Sequence, residues 1–172
     1  LTKKKIKIDE QAITIKKIEQ ATTSQLARSF ERHCIKMLVR EPEWLQLLDR
    51  VLQKAGLSRL DISDFDHVDF QIFIRIIMQS LEQDLMEPDN FLLSKIPENL
   101  KIVLNTLQSE PLESEIRLDQ KLQEDLIRSV LKLRLVKVNE GLQQMRYLLE
   151  ELKEQGDLGI NPYQDMIIRY TL

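Results

Sequence analysis

Apolar side chains recur at intervals of three and four along most of this chain, and its prolines fall where one such series gives way to the next. That pattern predicts helices joined by short turns. From Thr23 or Ser24, Leu26, Phe30, Cys34, Met37 and Leu38 share one helical face, with Ser24 offering an N-cap. Pro42 ends that helix and can open the next, which carries Trp44, Leu45, Leu48, Val51 and Leu52 and stops at Gly56. After a loop over 57–63, a third helix is predicted from Asp64 or Asp66. Its broad face of Phe70, Phe73, Ile74, Ile77, Met78 and Leu81 suits a central, buried position. Pro88 and Pro97 open two shorter helices, through Phe91 to Leu93 and through Leu100, Val103, Leu104 and Leu107, before Pro111 punctuates again.

From Glu113 to Glu154 there is no proline and a single glycine, Gly141. A continuous helix of about 40 residues would run on the order of 60 Å, too long to lie wholly within a bundle of roughly 100 residues. Part of it is therefore expected to project. Ile116, Leu118, Leu122, Leu126, Ile127 and Val130 form a face broad enough for a bundle. From Leu131 the spacing changes: Leu131, Leu135, Val138, Leu142, Met145, Leu149 and Leu152 alternate steps of four and three. That is a narrow seam suited to one partner helix. Gly141 interrupts it as a hinge or a point of close packing. A turn at Gly156 to Gly159 leads to Asn161-Pro162, an N-cap and N1 pair, and then to Met166, Ile167 and Tyr170, a helix that can return along the seam as a hairpin. The expected organisation is all-α: a leader over 1–23, a multi-helix bundle over 24–130, and a long helix with a C-terminal helical hairpin over 131–172.

The leader is rich in Lys, Thr and Ile, with weak period-two alternation at Ile6, Ile8, Ile13 and Ile15, and reads as a tether or an added helix. Charged residues make up 31% of the chain and aromatics 5%, with a net charge of −3, so the balance disfavours nucleic acid as the main ligand. Cys34 is the sole cysteine, which excludes a disulfide framework. With no membrane-length apolar run and no signal peptide, the expected location is the cytoplasm. The opening at Leu1 and the apolar ending suggest a piece of a longer protein.

Candidate chemistry is sparse. His33 and His67 fall on different helices and lack further ligands for a zinc site. Cys34 lies on an apolar stripe, where it acts as a small hydrophobe rather than a nucleophile. Asp61, Asp64, Asp66 and Asp69 lack the glycine and spacing of a calcium loop and fit helix capping. No phosphate-binding loop or triad motif occurs. Lys132, Arg134 and Lys137 read as a solvated helix face. No catalytic, metal or cofactor residue is expected. The residues that point to binding are Tyr147, Leu148, Tyr163, Met166, Ile167 and Tyr170, too many apolar groups for a two-helix appendage to bury.

Three phrases resemble the helicase-binding domain of bacterial replicative DNA primases. Residues 30–45 carry Glu31-Arg32 followed by apolar residues, Pro42, and an apolar helix from Trp44. Asp64-Phe65 with His67 and Phe70 resembles the family's phrase before its central helix, and residues 131–157 its long helix ending at Gly156-Asp157. The first two phrases also resemble, loosely, the N-terminal domain of the replicative helicase, a similar fold. The Lys-rich leader and the entry to the last helix at Ile160 to Tyr163 depart from the family. The resemblance spans roughly 24–172. It implies docking on the N-terminal domains of a hexameric replicative helicase through the hairpin, Leu142 to Leu172, to recruit the primase and modulate helicase and priming activity at the fork. Neither membrane nor direct nucleic-acid binding is implied. An alternative is a non-enzymatic adaptor that dimerises through the seam, with the hairpin open to swapping between chains.

Overall fold

The computed structural model describes residues 23–111 and 119–154, and within them every regular element is helical. A helix over 23–38 (α1) is followed by Trp44–Lys54 (α2), Val68–Glu82 (α3), Pro88–Lys95 (α4), Lys101–Ser109 (α5) and Asp119–Glu154 (α6). The chain divides into two compact units. One is Arg28–Leu133; of the other, residues 23–27 and 134–154 are described. α6 supplies residues to both. The C-terminal hairpin expected beyond it lies outside the described residues.

The end of α2 and the starts of α4 and α5 have local causes. α2 ends in a Schellman turn: Gly56 sits at φ 75°, its N–H donates to Gln53 O, and Leu57 N donates to Leu52 O at 2.9 Å. Asp49 Oδ1 then accepts from Leu60 N at 3.0 Å and ties the loop back to α2. Pro88 opens α4 at its first turn. Pro97 precedes a 3₁₀ turn at Glu98–Leu100 that leads into α5.

α3 begins two to four residues later than expected, at Val68. The preceding segment has its own structure, a 3₁₀ turn at Ile62–Asp64. There the Asp64 carboxylate accepts from Asp61 N, and Phe65 is extended with its ring 1% exposed. Sequence periodicity does not reveal that a single aromatic turned inward can hold a loop in place of a helical turn.

The core of the larger unit is aliphatic, with two fully buried phenylalanines, Phe65 and Phe73. α3 is its centre, as its broad face predicts: Phe70, Phe73, Ile74, Ile76 and Ile77 are all buried, and the helix packs against α4. α6 enters this core through Leu126, Val130 and Leu133, each at most 1% exposed.

The buried face of α1 is turned relative to the expected one. Cys34, Met37 and Leu38 are inside, but Leu26 is 47% exposed, and Ala27, Glu31 and Ile35 are buried. Glu31, only 1% exposed, is held by two backbone donors: Asp66 N at 2.6 Å and His67 N at 3.2 Å. A carboxylate thus secures the N-cap residue of α3, where the helix dipole favours negative charge. Arg32 and Lys36, one turn of α1 apart, and Arg40 in the turn just after α1 reach the other kind of helix end. Arg40 donates to the carbonyls of Leu107, Gln108 and Glu110, Lys36 donates to Pro111 O, and Arg32 pairs with the Glu110 carboxylate. These cations meet the carbonyl end of α5, where positive charge is favoured. α1 and the turn that follows it therefore place an anion on a positive helix terminus and cations on a negative one.

Candidate partner-binding surface

α6 carries Tyr147 and Leu148, two of the six residues that sequence marks for binding. It has 36 residues, about 54 Å at the helical rise, and runs unbroken through Gly141. Among the described residues, a Cβ built on Gly141 meets nothing within 4 Å. The bundle-facing residues Leu126, Val130 and Leu133 lie at helical spacing on one side. The seam lies on nearly the opposite side. At its start it is uncovered: Leu131 is 42% exposed, Leu135 60% and Val138 38%. Further along, Leu142 and Met145 are half-buried and Leu149 is buried.

Of the six side chains expected to bind a partner, Tyr147 and Leu148 are described, and both are exposed, at 57% and 47%. Tyr163, Met166, Ile167 and Tyr170 lie outside the described residues.

The candidate chemical groups are structural. Cys34 is fully enclosed; burial pushes its thiol well above the ordinary range, and the Asp64 and Glu31 carboxylates push the same way. A thiol held protonated is neither a nucleophile nor a metal ligand. His33 Nε2 is 3.3 Å from Asp125 Oδ2 and joins α1 to α6. His67 Nε2 lies 3.0 Å from Arg28 Nη2. A guanidinium only donates, so Nε2 accepts in this contact, and Nδ1 lies 3.7 Å from Asp69 Oδ2. The two histidines are on separate elements, and no group of three His, Cys, Asp or Glu among the described residues could hold a metal ion.

The acidic cluster caps turns. Hydrogen bonds from the Ile62 backbone and then the Ser63 hydroxyl stabilise the Asp61 carboxylate and hold its pKa below the usual carboxylate range. Of the cations on α6, Lys132 lies 5.7 Å from the centre of the Phe30 ring. No described helix is long and apolar enough to cross a membrane.

Sequence periodicity does not mark Leu85, the most exposed apolar side chain among the described residues of the larger unit, 96% exposed in the turn between α3 and α4. It stands outside any helical periodicity, so spacing alone gives it no signature. No family model, no curated protein and no solved structure matches this chain.

Proposed function

We propose that this chain is a docking module of the kind that attaches a bacterial replicative primase to the hexameric helicase at the fork, and that it contributes no chemical step itself. The observation that carries the reading is the long, unbroken α6, which buries Leu126, Val130 and Leu133 and presents Tyr147 and Leu148 exposed further along. Tyrosine and large aliphatic residues anchor interfaces when they are presented on a rigid element. The all-α fold supports this reading. The mechanism is tethering: a docked module raises the local concentration of linked catalytic domains near the unwound strand.

A pull-down with the replicative helicase tests this reading through Tyr147→Ala and Leu148→Asp. Both side chains are exposed, so the fold should survive. Retention of helicase by the unaltered chain and its loss in these variants is the expected result. Equal retention by both variants would remove Tyr147 and Leu148 from the interface.

One observation favours a second reading. Leu131, Leu135 and Val138 leave an apolar stripe open on α6, as a helix that pairs with another copy would. That adaptor would dimerise without any helicase, and Leu135→Asp would abolish the dimer.

A further inference from the structure

The turn between α3 and α4 is short and tightly tied. The Gln83 amide spans it: Nε2 donates to Ser80 O at 3.1 Å and to Met86 O at 2.5 Å, while Oε1 accepts from Leu85 N and Met86 N, each at 2.9 Å. Four hydrogen bonds from one side chain thus fix a backbone whose effect is to hold Leu85 almost wholly in water and Met86 46% exposed. Fixing an apolar side chain outside the core adds nothing to folding, but it lowers the ordering cost of any association that buries it.

The surroundings are strongly one-signed. Glu82, Asp84, Glu87 and Asp89 are all exposed and lie within four residues of Leu85, so their Cα atoms are within about 15 Å of it. None of these four carboxylates takes part in an ion pair among the described residues. Downstream, Lys95 lies over the Phe91 ring and Lys101 pairs with Glu98; upstream, the nearest cation along the chain is Arg75, ten residues from Leu85. Four free carboxylates repel nucleic-acid phosphates and anionic lipid headgroups, and attract ammonium and guanidinium groups.

We propose that residues 82–89 form a docking point for a basic protein segment, one that offers a leucine-sized apolar recess rimmed by lysine or arginine. Leu85 is the anchor, Met86 extends the apolar contact, and the carboxylates steer the approach. The site lies in the Arg28–Leu133 unit and stands or falls independently of the helicase-docking surface on α6.

The test uses the full chain and a synthetic amphipathic leucine–lysine peptide of roughly five helical turns. Methyl NMR follows Met86, with the fully buried Met37 as an internal reference, and fluorescence anisotropy gives the affinity. The peptide should shift the Met86 methyl and bind at about 100 μM or tighter. Leu85→Ser should weaken binding about tenfold or more. The combined variant Glu82→Gln, Asp84→Asn, Glu87→Gln, Asp89→Asn should weaken it and flatten its salt dependence. A leucine–glutamate peptide of the same pattern should not bind. The proposal is overturned if the basic peptide does not bind, if it binds while the Met86 methyl stays still, or if Leu85→Ser binds like the unaltered chain. In the last case only diffuse charge attraction would remain.

Discussion

Replacing Glu31 by alanine removes the one side chain that joins α1 to the start of α3 through two backbone donors. The carboxylate is 1% exposed, so water cannot readily replace it at Asp66 N and His67 N. Each charge-assisted bond whose donor is left in a partly buried place is worth about 1.5 kcal/mol, which gives about 3 kcal/mol for the pair. In a protein of this size that corresponds to a fall in Tm of about 6–12 °C. Glu31→Gln keeps one acceptor oxygen and should cost about half as much. Glu31→Leu should not rescue stability, because the N–H groups stay where they are whichever apolar group faces them. Urea unfolding followed by circular dichroism measures the loss, and hydrogen exchange at His67 locates it. A loss below about 1 kcal/mol for Glu31→Ala, or a glutamine variant as damaged as the alanine one, would refute the capping argument.

Other changes test other joints. Arg40→Met keeps the aliphatic stem but leaves the carbonyls of Leu107, Gln108 and Glu110 without their cation, and should cost about 1–3 kcal/mol by urea unfolding. Gly141→Ala meets open space in a continuous helix, so it should stabilise α6 by up to about 1 kcal/mol; a lower Tm would mean that the glycine serves a bend or a contact. Burial raises the Cys34 thiol pKa in the folded state, so its contribution is intact below the ordinary thiol value of 9.0 and declines above it. The decline is at most about 1.4 kcal/mol per pH unit. Cys34→Ala should lower overall stability but remove this alkaline decline, and matched pH profiles for the two proteins would contradict the assignment. The Asp61 carboxylate is shifted the other way, so its contribution is present above the usual carboxylate value and is lost as pH falls through the lowered one. Asp61→Asn should flatten the acid limb of a stability profile.

Much of the helical layout can be read from the chain because its causes are local. Prolines and the glycine at φ 75° act within a turn, and the broad apolar face of α3 follows from spacing alone. The phase of α1 is different. Leu26 looks like an inward residue and Glu31 like an outward one, yet Glu31 is inside because its partners stand 35 and 36 residues further on. No periodicity within α1 encodes that. The start of α3 is displaced for a similar reason, since Phe65 is drawn inward ahead of the helix. On α6, the change of spacing at Leu131 marks a side of the helix that the bundle leaves uncovered through Val138, so this part of the candidate surface is legible in heptad terms. Leu85 is not, because a single exposed leucine in a turn has no repeat to betray it.

The proposed role is tested most directly by gel filtration with light scattering of this chain, alone and mixed with the hexameric replicative helicase of the same organism, at about 20 μM. Docking predicts co-elution at a mass above that of the hexamer, with the isolated chain eluting as a monomer. An unchanged hexamer peak beside a separate peak for this chain would contradict it, and a dimer mass for that second peak would turn the account toward pairing through Leu131, Leu135 and Val138.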